Sequence, residues 1–446
     1  MTAFDIRAAM AAVLPDVRED LERLVRIPSV SADPAARPEV EASAAEVARQ
    51  LTVAGLPEVE VVQAEGGLPA VIGRRPGPPG SVDVLLYAHH DVQPVGPGWE
   101  TEAFQPVERE GRLYGRGAAD DKAGVELHCA VLRAVGDRLG VGVTVLIEGE
   151  EEIGSPTLPA LLAEHRERLT SDVMVLADST NWRIGQPALT TTLRGGVSVV
   201  VEVSTLDHGV HSGVYGGPVP DALSALARLL ATLHDDAGDV AVSGLTRADA
   251  DPLDLTDEQL RADAGVLDGV ELVGTGSLTS RLWRAPSLAV VAIDAPRVDE
   301  AAMVLVPAAR ATIALRIAPG DDASAARDAL VAHLEKHVPW GARLRATTGH
   351  LIEPYAARTS GPAYAAAHAA YTEAWGVPPV EIGVGGSIGF LAPFADAFPD
   401  AEVLVTGVED PDTRAHAANE SLHLGDFERA CLAEAMFLER LATRAR

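Results

Sequence analysis

Histidine, aspartate and glutamate gather in a few short stretches of this chain. They are Ala88-His89-His90-Asp91, Ala119-Asp120-Asp121-Lys122, Glu148-Gly149-Glu150-Glu151-Glu152, Ala177-Asp178, and His416 towards the far end. These are the side chains that bind zinc and similar divalent ions. Taken singly, each has a simpler explanation. Asp120 and Asp121 ahead of a helix would serve as an N-cap and a first-turn acid. A glutamate run after a strand is usually a solvated loop, and Asp178 would suit a turn. Their concurrence carries the argument, because clusters of one chemical type at successive strand ends are hard to explain as separate accidents. Three adjacent glutamates beside Asp120 and Asp178 would also repel one another unless a cation compensated them.

Strand-length apolar runs at Val82–Tyr87, Val143–Ile147, Val173–Leu176 and Glu402–Thr406 lead into His89, the glutamate run, Asp178 and, a loop later, His416. Helical periodicity marks Asp5–Val25, Glu41–Ala54, Lys122–Leu139, Leu158–Leu169 and Leu424–Ala442. Strands alternating with helices predict an α/β domain with a mainly parallel inner sheet. Open sheets of that kind bind ligands beyond the carboxyl ends of their strands. A different pattern begins near Thr190, with strands at Gly195–Ser204, Ala285–Asp294 and Arg310–Ile317 and helices at Ala222–Leu233 and Asp321–Lys336. That is a unit of the α+β type, and the α/β style returns after about Gly349. The expectation is a discontinuous domain over residues 1–189 and 350–446 with an inserted domain over 190–349.

The chain's 446 residues are too many for one ordinary core. A formal charge of −29 repels nucleic acid and anionic membrane, so neither is an expected partner. No apolar run approaches the roughly 20 residues of a membrane helix, and the first residues do not read as a secretory signal. Cys129 and Cys431 sit in apolar helical patterns and read as core residues rather than a disulfide. Few cysteines and no signal point to the cytoplasm.

Several ordered stretches resemble the M20 metallopeptidases, a family of carnosinases, other cytosolic dipeptidases, glutamate carboxypeptidases, aminoacylases and succinyl-diaminopimelate desuccinylases. They are LVRIPSVSADP (Leu24–Pro34), YAHHDVQP (Tyr87–Pro94), GRLYGRGAADDKAG (Gly111–Gly124), EGEEEIGS (Glu148–Ser155), LRGGVSVVVEV (Leu193–Val203), HSGVYGG (His211–Gly217), GGSIG (Gly385–Gly389) and AHAANE (Ala415–Glu420). The forms YAHHDVQP and LYGRGAADDK lean towards the carnosinase-like branch. Departures are mild: Ala88, Ala123 and Ala417 stand where relatives often differ, and Gly389 stands where dipeptidases commonly have proline.

The resemblance implies a two-metal aminopeptidase-like catalytic domain and an inserted α+β lid that also dimerises. It implies that His89 binds one metal and His416 the other, that Asp120 bridges both, and that Asp178 and Glu152 complete the two sites. Glu151 would be the general base, Asp91 would hold the other ring nitrogen of His89, and Glu150 falls outside the pair. His211 would donate to the oxyanion in the partner subunit of a homodimer. Arg316, with Ser387 and Gly386 of the glycine-rich turn, would hold the carboxylate of a small peptide. The expected reaction is metal-dependent hydrolysis of a dipeptide, the alternative being deacylation of an N-acyl amino acid, which makes the same bond changes. The donors suit Zn²⁺ first, with Mn²⁺ or Co²⁺ admitted by the same chemistry.

Overall fold

The computed structural model describes residues 4–386 and 390–444. The chain divides into two units. One contains the described residues up to Thr191, Ala357–Ile382 and residues 390–444; the other contains Thr192–Ala356 with residues 383–386. The short stretch 383–386 goes with the second unit because Arg194 binds it, its N–H donating to the Val384 carbonyl (3.2 Å) and its Nε to that of Gly385 (3.1 Å). No hydrophobic pattern marks that join in the sequence.

The first unit is built on strands β1 (Glu58–Val62), β2 (Ala70–Arg75), β3 (Asp83–His89), β4 (Gly142–Glu148), β5 (Val173–Leu176), β6 (Ala188–Leu193) and β7 (Glu402–Val405), in sheet order β1-β2-β4-β3-β5-β7-β6. Pairing is parallel at the centre, where β3 joins β4 and β5 and β7 joins β5. It is antiparallel on the flanks, at β1–β2, β2–β4 and β7–β6. The central strands are buried almost throughout, as a sheet covered on both faces requires. That accounts for their continuous apolar runs rather than alternation.

One face is covered by α1 (Ile6–Val25), α2 (Arg37–Val53), α3 (Lys122–Val135) and the helices Pro362–Trp375 and Leu424–Arg444. Leu21, Leu24, Leu127, Val131 and Phe437 pack there against Val84, Leu86, Val145 and Ile147. Truncating one such leucine to alanine costs about 2–5 kcal/mol. Asp5 caps α1 by accepting from the N–H groups of Arg7 and Ala8. The run Leu158–Leu169 is two short helices, Leu158–Glu164 and Arg166–Leu169, separated at His165.

β3 and β4 each run beyond the apolar segment that announces them. The ladder pairs Ala88 with Ile147 and His89 with Glu148, and the His90 N–H still donates to the Glu148 carbonyl at 2.8 Å. His89 is therefore the last residue of a buried strand, not the first of a loop.

The second unit holds an antiparallel sheet in the order Ser287–Asp294, Ala308–Ile317, Gly195–Ser204, Arg343–Ile352. Val197, Val199, Val201 and Val203 alternate inwards and meet Ala311, Ile313 and Leu315 beneath the helices Ala222–Leu230 and Ala323–His337. The Ser287–Asp294 strand is an edge, and Val290, Val291 and Ile293 on it are exposed. Cys129 and Cys431 are buried free thiols. No helix among the described residues is long and apolar enough to cross a membrane.

Candidate metal centre

The parallel strands deliver their carboxyl ends to one rim of the sheet, and the acidic and histidine residues follow there. His89, at the end of β3, is fully buried. Its Nε2 lies 3.2 Å from Asp120 Oδ1, and its Nδ1 lies 3.4 Å from Asp91 Oδ1 and 3.1 Å from the Asp91 carbonyl. Asp120 precedes α3, and the Asp120–Asp121 peptide is cis. The other oxygen of Asp120 lies 3.0 Å from His416 Nε2, so one carboxylate faces both histidines, one oxygen to each. Glu152 Oε2 lies 3.3 Å from the same His416 nitrogen. His416 is held in left-handed backbone (φ +63°), and its side chain is 59% exposed against 0% for His89.

Two groups of potential ligand atoms result, His89/Asp121/Asp178 and Asp120/Glu152/His416, each gathered within 4.8 Å. The five ligand positions that the sequence suggests all fall in these groups, and Asp121 is an addition. Asp121 occupies the N-cap of α3, yet its side chain does not cap that helix. Its Oδ2 accepts the backbone N–H of His89 at 3.1 Å instead. The capping reading of this aspartate is thereby corrected: the carboxylate lies over Gly124 in the first turn of α3 and bonds β3, not the helix N-terminus.

The electrostatics test whether these residues fit cations. Burial, with the charges of Asp120 and Glu152 and against the pull of His89, pushes Asp178 up to about 7. Burial and Asp178 push Glu151 well above the usual carboxylate range. His416 is pushed up to about 11 by its hydrogen bonds to Asp120 and Glu152. Burial also raises Glu409, a residue the sequence does not single out, with Asp120 and Asp178 adding to it. Buried His89 Nε2 makes no well-aligned hydrogen bond among the described residues, although Asp120 Oδ1 lies 3.2 Å away. Crowded carboxyls that resist ionisation, beside imidazole nitrogens aimed at them, match the donor chemistry of divalent cations.

The three adjacent glutamates have different surroundings. Glu150 Oε1 accepts from Thr157 N–H (2.7 Å) and Oγ1 (2.5 Å), and its Oε2 accepts from Leu68 N–H (3.1 Å), so this side chain is spent on fixing loops. Glu152 is bound through its carboxylate by Gln93. The Glu151 carboxylate has no hydrogen-bond partner among the described residues, while the Glu151 N–H donates to Asp91 Oδ1 at 3.2 Å. Asp91 Oδ2 accepts the N–H of Glu152 at 3.1 Å. Asp91 thus braces both glutamates as well as standing beside His89.

Glu420, the last residue of AHAANE, is buried and accepts from Arg116 Nη1 (2.6 Å) and from the N–H groups of Gly117 (3.1 Å), Ala119 (3.1 Å) and Asp120 (3.2 Å). It ties the loop that bears His416 to the loop that bears Asp120. The sequence motif contains it, but nothing in the motif states this task.

In the second unit, Arg316 stands on the Ala308–Ile317 strand, opposite Gly196 and Ser287. Arg194 lies close enough that burial and the Arg316 charge bring it down to about 10. Arg194 also donates to Ser287 Oγ (2.9 Å) and, through Nε, to Gly385, whose neighbour is Gly386. Ser387 lies outside the described residues. His211 is exposed, and its Nδ1 accepts the Gly213 N–H at 3.0 Å.

The chain belongs to peptidase family M20/M25/M40, whose model matches residues 85–440. Among curated proteins it is 35% identical over 366 residues to a cysteinylglycine-S-conjugate dipeptidase of Corynebacterium striatum, covering 80% of each chain. Its fold matches the structure of human carnosine dipeptidase 1 with a TM-score of 0.80 at 25% identity, covering 98% of both chains. The dipeptidase Dug1p of Saccharomyces cerevisiae has the same fold, with a TM-score of 0.82 at 24% identity and 98% of both chains covered.

Proposed function

We propose that this protein hydrolyses dipeptides that carry a free carboxylate, using two divalent cations, Zn²⁺ first among them. The observation that carries this reading is the division of labour in the glutamate run: Glu150 is tied to Thr157 and Leu68, Glu152 faces His416 and Asp120, and the Glu151 carboxylate is left without a hydrogen-bond partner among the described residues. The related dipeptidases support the choice of substrate class.

His89 and Asp178 would hold one cation and Glu152 and His416 the other, with Asp120 between them and Asp121 beside His89. Cations held there would supply Lewis acidity, lowering the pKa of a water molecule and polarising the scissile carbonyl. Glu151 then accepts the proton that the water gives up and hands it to the nitrogen of the leaving amine. Asp91 keeps Glu151 in place through the backbone. Arg316 offers a planar fork to the substrate carboxylate, with Gly386, and Ser387 of the same sequence motif, as further contacts. His211 donates to the developing oxyanion from the partner subunit of a homodimer. Exposed apolar residues around His211, namely Val214, Met303 and Val304, and along the Ser287–Asp294 edge favour such pairing. Two buried free thiols suit a reducing, cytoplasmic setting.

Glu151→Gln should lower kcat by about 10²-fold or more while the metal content stays at two per chain, because it removes a proton acceptor and not a ligand. Glu152→Gln should lose metal. Equal metal loss in both variants would reverse the assignment. Chelation should abolish dipeptide hydrolysis, and re-addition of Zn²⁺, Mn²⁺ or Co²⁺ should restore it; full activity in excess chelator, with no metal found by elemental analysis, would overturn the proposal.

A further inference from the structure

Residues 91 and 93, on the segment that leaves β3, engage every polar group of Glu152. The Glu152 N–H donates to Asp91 Oδ2 at 3.1 Å. The Gln93 N–H donates to Glu152 Oε1 at 3.0 Å, and the Gln93 side-chain amide donates to Glu152 Oε2 at 2.7 Å and to the Glu152 carbonyl at 3.2 Å. With the side-chain amide reversed, its oxygen would meet a carboxylate with no proton between them, so chemistry fixes its orientation. Both amide hydrogens are therefore committed to one residue. The oxygen that receives the short bond, Oε2, is also the one 3.3 Å from His416 Nε2.

This grip has two physical effects. A free glutamate side chain loses rotamer freedom when it is fixed, and Gln93 imposes that order before any cation arrives. The donor is also neutral. An arginine or lysine in its place would cancel the charge of Glu152 and oppose a cation; an amide steadies the carboxylate and leaves its charge for the metal.

We propose that Gln93 is a positioning residue that holds Glu152 ready for the cation it shares with Asp120 and His416, and so sets affinity at that position independently of the one at His89 and Asp178. This rests on the metal reading above. The test is titration of metal-free full-length protein with cobalt(II) chloride, followed by visible absorption and calorimetry. It uses wild type, Gln93→Met (similar in length, without a donor) and Gln93→Asn (polar, one methylene short). The wild type should take up two equivalents. In both variants one equivalent should bind as in the wild type and the other about 10–100-fold more weakly. Their kcat should fall at limiting cobalt and recover at saturating cobalt, and the melting temperature of the metal-free protein should be nearly unchanged. Two variants that bind both equivalents as tightly as the wild type would overturn the inference. So would variants that lose both equally along with a lower metal-free melting temperature, which is the mark of a general structural role. A wild type that binds no cobalt would overturn the metal reading itself, and this inference with it.

Discussion

Glu420 ties together several parts of the candidate centre. Its carboxylate and Arg116 are both buried, and it also takes the N–H groups of Gly117, Ala119 and Asp120. Glu420→Ala leaves a buried guanidinium and those backbone donors without their acceptor. Breaking a buried pair from one side costs about 3–5 kcal/mol. The expected result is an unfolding free energy lowered by that order, together with weaker metal binding, since Asp120 loses its anchor; an unfolding free energy within about 0.5 kcal/mol of wild type would contradict the role given to Glu420. At this scale the sequence was legible where chemistry forces a residue type. His89, Asp120, Glu152, Asp178 and His416 stand out as side chains able to bind cations, and the fold gathers them in two groups. The supports were not legible. Gln93, Asp121 and Glu420 act through backbone N–H groups and carboxylate oxygens brought together by folding, and glutamine, aspartate and glutamate on their own have many ordinary uses.

Among the elements, the contact of α1 with α2 and α3 is organised by a buried carboxylate. Asp20 on α1 receives Arg49 of α2 (3.0 Å), Arg133 of α3 and its own neighbour Arg23. Burial alone would raise its pKa, but the hydrogen bonds from Arg133 and Arg23 more than offset this and hold it below the usual range. A group whose folded pKa is depressed adds stability above its unfolded pKa and loses it as pH falls through the folded value. The ion pair should therefore stabilise the fold at neutral pH and fade below about pH 4, near the unfolded pKa of aspartate. Denaturant midpoints measured from pH 3 to 7 should fall more steeply on the acid side for wild type than for Asp20→Asn; parallel curves would remove Asp20 as a source of acid sensitivity. The central strands were readable because burial on both faces leaves apolar runs. The Arg343–Ile352 strand was not, since its residues are largely exposed or half-buried and show no apolar stripe. β1 escaped for the same reason, with only Val62 buried.

For the molecule as a whole, the open matter is whether one chain suffices. If pairing brings His211 to a partner's centre, His211→Ala and Glu151→Gln should each be nearly inactive alone. The loss from His211→Ala should fall mainly on kcat, by about 10²–10³-fold. Mixed under conditions that exchange subunits, the two variants should recover up to roughly a quarter of wild-type activity, because half the dimers are mixed and each has one intact centre. No recovery despite proven exchange would place His211 within its own chain's chemistry or outside catalysis.

The points where the chain leaves the first unit after Thr191 and re-enters it at Ala357 are bonded to each other, the Ala357 N–H donating to the Thr191 carbonyl at 2.8 Å. A host whose two cut ends already touch is indifferent to the length of what hangs between them, because closure entropy grows only with the logarithm of loop length. In evolutionary terms this junction is a socket. Insertions and deletions within residues 192–356 can be tried there without stretching the strands that lead to His89 and Asp178. The half that holds the two His/Asp/Glu groups can keep its geometry while the inserted half changes in size.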